Sequence, residues 1–210
     1  MLEPGPNPVL SGTPWWAAQE DAAWWTDRAL TTVSGEVTGD DVVLVDDDGR
    51  GVGTAARATV HGASTPLHLA FSCYAAGPDG RLLVTRRALT KRTWPGVWTN
   101  AFCGHPRPGE SYADAIARHA DGELGLTVRD VRPALPAFRY RAVDASGTVE
   151  NEICPVFTAV LEGEPTPSPD EVAEHAWVTP DELRTLVEVA PWAVSPWMVQ
   201  QVRALGPVLG

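Results

Sequence analysis

The sequence predicts an α/β sandwich, and three observations lead to that class. Short apolar runs with strand-like alternation recur along the chain and are interrupted by runs with helical spacing. One amphipathic run, with Ala113, Ile116, Ala117, Ala120 and Leu124 at three-to-four spacing, follows a strand and a turn built from Pro106, Pro108 and Gly109. A chain of 210 residues, 44% hydrophobic and 20% charged, has the size and composition of one ordinary globular core.

In chain order, residues 1–40 read as a separate extension. Its first part is rich in Pro and Gly and is expected to be mobile. Thr13 can then cap a helix with Pro14 in its first turn, carrying Trp15, Trp16, Trp24 and Trp25. That much indole is expected to leave water, against the main domain or a second subunit, with a lid over a ligand or a partner site as the alternatives. Residues 41–205 form the main domain and 206–210 a short tail. Asp41 to Asp47 is a buried strand ending in the turn DDGRG, and Leu67 to Ala75 is a second. In that second strand His68, Ala70, Ser72 and Tyr74 share one face, and Leu69, Phe71 and Cys73 the other. Arg81 to Arg87 follows the turn GPDG, and Val97 to Phe102 continues the pattern. The amphipathic helix starts near Ser111 and stops at Gly125. Phe138 to Val143 and Val149 to Val160 pair as a hairpin across DASG. After the loop PTPSPDE come a last strand, AEHAWV, a helix opened by Pro180, and a tryptophan-bearing helix from Pro191 through Ala204.

Charge narrows the function. A net charge of −11 argues against broad nucleic-acid binding and against attachment to an anionic membrane. Yet from Arg81 through Gly109 there is no Asp or Glu, while Arg81, Arg86, Arg87, Lys91, Arg92 and Arg107 fall in that window. Such a stretch suits a small, highly charged anion such as a diphosphate, and as a bland alternative it is a solvated face. Cys73, Cys103 and Cys154 make an odd number without paired spacing, which fits free thiols in a reducing compartment. The first basic residue is Arg28, and no apolar run reaches the ~18 residues of a membrane helix, so a soluble cytoplasmic protein is expected.

The densest chemistry lies in TNAFCGHPRPGE. Cys103 and His105 are two apart, so on extended backbone both side chains leave one face, and Gly104 between them lets a ligand approach the main chain. Glu150 and Glu152 are likewise two apart in a strand, and His61 and His68 flank the entry to another. Three imidazoles with two carboxylates suit Mg²⁺, Mn²⁺ or Zn²⁺, because nitrogen donors are mixed with hard oxygens. Taken singly, each histidine reads as a hydrogen-bonded structural residue.

Gly104, five residues, Glu110, seven residues, Arg118, then Glu123, Gly125 and Leu126 resemble the Nudix box, with His119 and Gly122 where hydrolases carry glutamates. With TPLHLAF, CGHP and VENE in this order, the chain from about Asp41 to about Ala204 resembles the type I isopentenyl-diphosphate delta-isomerases. That resemblance implies a Nudix fold, a mixed β-sheet sandwiched between helices. It implies interconversion of isopentenyl and dimethylallyl diphosphates in isoprenoid precursor biosynthesis. Matched by position, His61, His68, His105, Glu150 and Glu152 correspond to the family's metal ligands, for Mn²⁺, Mg²⁺ or Zn²⁺. Glu123 corresponds to the carboxylate that binds a further Mg²⁺ with the substrate diphosphate. Cys103 and Glu152 correspond to its essential cysteine and glutamate, Tyr140 to a tyrosine bonded to that glutamate, and Trp197 to an indole against the allylic end. Arg87 and Lys91 correspond to diphosphate-binding cations, and Arg57 stands where many members have lysine. No flavin or nicotinamide is implied, nor any nucleic-acid or membrane partner, and the chain is expected as a monomer or homodimer.

These residue types suit the chemistry. Moving a carbon–carbon double bond by one position adds a proton to one carbon and removes another nearby, through a tertiary carbocation. One donor and one acceptor are therefore needed, with an aromatic face to stabilise positive charge. The reading gives the donor's part to Glu152 with Tyr140 and the metal, and the acceptor's part to Cys103. A Nudix-type diphosphate hydrolase and a non-catalytic prenyl-diphosphate or metal-binding module are the rivals. The first lacks the clustered carboxylates that His119 and Gly122 displace, and the second has no use for Cys103 and Glu152 together.

Overall fold

In the computed structural model, residues 24–33 and 37–209 are described. The strands, in order, are β1 (Asp41–Val45), β2 (Gly51–Ala56), β3 (His68–Leu69), β4 (Phe71–Ala76), β5 (Leu82–Arg87) and β6 (Trp98–Thr99). They continue with β7 (Phe102–Gly104), β8 (Thr127–Leu135), β9 (Arg139–Val143), β10 (Val149–Ile153), β11 (Val156–Glu162) and β12 (Val172–Val178). Three α-helices accompany them: α1 (Tyr112–Leu124), α2 (Pro180–Val189) and α3 (Pro196–Leu205).

Of the runs expected as single strands, Val97 to Phe102 is split between β6 and β7, and two others each break once in a way that builds the architecture. The first breaks at Ala70 between β3 and β4, the second at Cys154 and Pro155 between β10 and β11. Pro155 has no N–H to continue a ladder, so the strand ends there. At these points the chain leaves one sheet, of order β2-β1-β3-β10-β9, and enters another, of order β12-β5-β4-β11-β8 with β6 on β5 and β7 on β4. The two broken runs lie parallel: His68 faces Glu152 across β3 and β10, and Ser72 faces Val156 across β4 and β11. Bridging bonds from Ala70 N to Ile153 O (2.9 Å) and Ser72 N to Pro155 O (3.1 Å) carry the pairing through the break.

The larger sheet is the filling of the sandwich. One face packs Phe71, Cys73 and Phe157 against Ile116, Ala120 and Leu124 of α1. The other packs Tyr74, Leu82 and Val84 against Leu183 and Val187 of α2 and Met198, Val202 and Leu205 of α3. The face assignment expected for the strand around Phe71 therefore holds, although that strand is two. Helix α1 is delimited as expected: Ser111 Oγ accepts from Asp114 N, and Gly125 closes the helix at φ 64. Its buried side is offset from the expected one, with Tyr112 and Ala115 inside and Ala117 exposed. Thr179 and Glu182 form a capping box at the start of α2. The helix expected over 191–204 is two pieces, a 3₁₀ turn at Pro191–Ala193 and then α3, because Pro196 forces Ser195 into extended backbone that caps the new helix.

Two strands went unforeseen. β2 is glycine-rich with no buried residue, and β8 contains Pro133 and is only partly buried, so neither shows the alternation of a half-buried strand. Trp24 is 4% exposed, in a 3₁₀ turn, with its ring centroid 5.6 Å from Tyr112 and 5.9 Å from Phe157. The main domain thus receives this indole, while Thr13, Trp15 and Trp16 lie outside the described residues. At the other end Leu209 is buried, so the short tail docks on the body. Among the described residues no helix is long and apolar enough to cross a membrane.

Candidate active site

The register of β3 with β10 sets the site, because it brings His68 and Glu152 together from segments far apart in the chain. His105 enters at the end of β7, and His61 from the loop before β3. Ligand atoms of His61, His68, His105 and Glu152 all lie within 4.8 Å of one another. His68 Nε2 is 3.2 Å from His105 Nε2, which is 3.2 Å from Glu152 Oε1. His68 Nδ1 lies 2.9 Å from Pro66 O, an acceptor that holds a proton on Nδ1 and turns Nε2 toward the cluster. Glu150 adjoins the group, its Oε2 2.8 Å from His61 Nε2. Those two atoms are buried without an aligned hydrogen bond, as donors aimed at a common point would be. Imidazole nitrogens and carboxylate oxygens converging in this way fit a divalent cation.

Electrostatics divide the group. Burial would lower the pKa of His68, but the hydrogen bond and charge of Glu152 outweigh it and hold His68 above its ordinary value. Burial dominates at His105 and brings it down to about 4. Burial would raise Glu152, yet bonds from His105 and His68 hold it well below the usual carboxylate range. Glu150 is raised by burial and by the neighbouring Glu152 charge.

The box residues support this cluster. Arg118 Nη2 is 2.6 Å from Glu110 Oε2 and also donates to His105 O at 3.0 Å, so the Glu–Arg pair fastens the loop carrying His105. His119 Nδ1 sits 2.5 Å from Glu123 Oε1. The His119 ring lies on Gly104, where an added β-carbon would come within 2.3 Å of it. An imidazole thus fills the side of Gly104 where a β-carbon would stand, and Gly104 also lines the cavity beside the cluster.

A cavity of about 440 Å³ opens onto the cluster. Of the twelve residues singled out from the sequence, eleven line it: Cys103, Glu152, Tyr140, Trp197, Arg57, Arg87, Lys91, His61, His105, Glu150 and Glu123. His68 is fully buried beside it. Burial pushes the Cys103 thiol up to about 11, partly offset by the bond to Ser72 and by the Arg87 charge, so at neutral pH sulfur carries its proton. Trp197 packs its ring 5.6 Å from Tyr140 and 5.4 Å from Trp94, and the Arg87 guanidinium lies 5.6 Å from its centroid. Tyr140 faces Glu152 across β9 and β10, but among the described residues no side-chain hydrogen bond joins the two.

The basic window does not stay together. Arg81 pairs with Asp79 and Arg86 with Glu174 away from the cavity, whereas Arg87, Lys91, Arg92 and Arg107 line it. Arg57 is held by Asp40 at 3.1 Å, and Lys91 by Glu171. Sequence reasoning missed Asp40, Asn100, Ser72 and Gln201. Of these only Asn100 carried a signal, standing three residues before Cys103.

Comparisons with known proteins bear on the family and the fold. Residues 66–198 match the NUDIX domain family. The chain is 62% identical over 169 residues to the isopentenyl-diphosphate Delta-isomerase of Agromyces mediolanus, covering 80% of this chain and 82% of that one. It is 58% identical over 171 residues to the isopentenyl-diphosphate Delta-isomerase of Kocuria rhizophila, covering 80% and 95%. A crystal structure of a Deinococcus radiodurans protein superimposes with a TM-score of 0.61 at 19% identity, over 79% of this chain and 99% of that one, a likeness of fold. With this fold, this box and relatives at that identity, the chain belongs to the isopentenyl-diphosphate Delta-isomerase family of NUDIX-domain proteins.

Proposed function

We propose that this protein interconverts isopentenyl diphosphate and dimethylallyl diphosphate, with Cys103 and Glu152 as the proton-transferring pair. The observation that carries the proposal is that a thiol and a cluster carboxylate line one cavity whose wall is an indole and whose rim is cationic. The alkene π pair takes a proton at the terminal carbon and leaves a tertiary cation. A C–H pair on the other side of that centre then becomes the new double bond as its proton departs. One group gives a proton and the other receives one, and exchange with solvent resets both. Because the reaction is reversible, each group must donate in one direction and accept in the other. In the direction in which Glu152 donates and Cys103 accepts, the thiol proton must first pass to the Glu152 carboxylate by exchange through water, and the Arg87 charge and the Ser72 hydroxyl ease its release.

The remaining roles follow from charge and shape. Trp197 stabilises the cation by its π face, an effect of ~2 kcal/mol in a dry site, and Tyr140 packs beside it. Arg87, Lys91 and Arg57 bind the diphosphate, the last two exchanging carboxylate partners for phosphate oxygens. His61, His68, His105, Glu150 and Glu152 would hold a divalent cation, Mn²⁺, Mg²⁺ or Zn²⁺, and Glu123 a Mg²⁺ accompanying the diphosphate. A cation at the histidines supplies Lewis acidity beside the Glu152 carboxyl when bound. The decisive experiment incubates the protein with Mg²⁺ and isopentenyl diphosphate in deuterated water and follows it by NMR. Deuterium should enter the dimethylallyl product and the recovered substrate; released phosphate without isomerisation would instead identify a hydrolase.

A further inference from the structure

Behind Cys103 lies a line of buried polar side chains of which the scheme above uses only the Ser72 hydroxyl. Ser72 and Gln201 are fully buried and Tyr74 nearly so. Tyr74 Oη donates to Gln201 Oε1 at 3.0 Å, which turns the amide nitrogen toward Ser72 Oγ at 2.9 Å. That bond occupies a lone pair of the Ser72 oxygen and leaves its hydroxyl proton for sulfur. Two sulfurs are in reach, Cys103 at 3.4 Å and Cys154 at 3.5 Å. On the other flank, Asn100 Nδ2 donates to Cys73 O at 3.0 Å and Phe102 O at 2.7 Å, so its Oδ1 faces Cys103 Sγ at 3.1 Å and accepts a hydrogen bond from the thiol. The same Oδ1 accepts from Trp197 Nε1 at 3.3 Å. Cys103 therefore sits between one donor and one acceptor whose orientations are set by atoms further back.

A core that only needed filling would use hydrocarbon here, because each buried polar group costs stability unless its partners are all present. We propose that Ser72, oriented by Gln201, is a positioning residue for the isomerisation, holding the Cys103 sulfur in place against the reacting carbon while Asn100 directs its S–H. Gln201 lies one turn after Trp197 on α3, so one helix places both the indole and, through Ser72, the sulfur. This inference rests on the isomerase reading and adds residues to it.

The test compares the full-length wild type with Ser72→Ala and Gln201→Met, each loaded with Mg²⁺ and assayed on isopentenyl diphosphate. Losing one hydrogen bond that aligns a reacting group should lower kcat about tenfold to a hundredfold. KM should stay within about twofold and metal content should not change, because neither side chain lines the cavity. Wild-type kcat in both variants, with only a lower Tm, would overturn the positioning role, as would a loss confined to KM. If Ser72→Ala fails to fold, Gln201→Met decides alone, since it keeps side-chain length while removing the amide that turns the hydroxyl. Turnover by wild type judges the isomerase reading separately from the variant-to-wild-type ratio.

Discussion

His68 and Glu152 are register partners on the parallel strands β3 and β10, and their side chains meet with Nε2 3.5 Å from Oε1. Neither is solvated, so each determines the charge of the other. Glu152 holds His68 above its ordinary pKa of 6.5, and a cation bound at Nε2 must expel that proton. Affinity for Mn²⁺ should therefore fall as the pH drops from 8 to 6, by about tenfold per unit once His68 is protonated in the free protein. Calorimetric titration across that range checks it. His105, lowered to about 4, should contribute little to the slope. A flat profile would mean that His68 is not a ligand.

Cys103 lines the cavity without belonging to the histidine cluster. Cys103→Ala should reduce turnover by at least about a thousandfold, as expected when a proton-transfer partner is removed. Bound metal, measured by elemental analysis, should stay at the wild-type level. Metal lost along with activity would make the thiol a ligand and not a proton carrier.

How far the sequence could be read depended on the range of each signal. The ends of α1 were legible because Ser111 and Gly125 act on their own helix. The site residues were legible because they occupy motif positions in TPLHLAF, CGHP and VENE. The passage from one sheet to the other was not, because an apolar run looks the same on either side of Pro155. The basic window was only half legible: Arg81 pairs with Asp79 just outside it, Arg86 and Lys91 pair with Glu174 and Glu171 far along the chain, and a count of charges within a segment includes none of these partners. Asn100 and Ser72 matter through neighbours that only the folded chain supplies.

Glu110 gives a stability prediction with a sign. Burial would raise its pKa, but Arg118 and the Arg107 N–H bring it below 4.5. A carboxylate depressed in the folded state contributes stability that is present above its unfolded pKa and lost as pH falls through its folded pKa. Glu110→Gln should cost about 1–3 kcal/mol at pH 7, and the gap to wild type should close in acid, below the folded-state pKa. Urea unfolding at both pH values measures it. Because Arg118 also holds His105 O, the variant should bind metal more weakly at pH 7; unchanged affinity would show that the loop stands without the pair.

Gly104 is the residue on which the altered box depends. A methyl group there would lie 2.3 Å from the His119 ring, closer than nonbonded carbon atoms approach, and backbone from β7 leaves the imidazole as the part that must move. Moving it breaks the contact of Nδ1 with Glu123 Oε1 at 2.5 Å and frees a carboxylate assigned to the diphosphate's Mg²⁺. Gly104→Ala should therefore raise KM for isopentenyl diphosphate and the Mg²⁺ concentration for half-maximal rate, each about tenfold, as for loss of one ordering contact at a charged group. Overpacking should cost about 1–3 kcal/mol as well. His119→Ala relieves the clash, so the double variant should recover the stability but not the Mg²⁺ dependence. Steady-state kinetics with varied Mg²⁺, read beside Tm, separates the two effects. A double variant with wild-type Mg²⁺ dependence would show that His119 only fills space above Gly104 and does not orient Glu123.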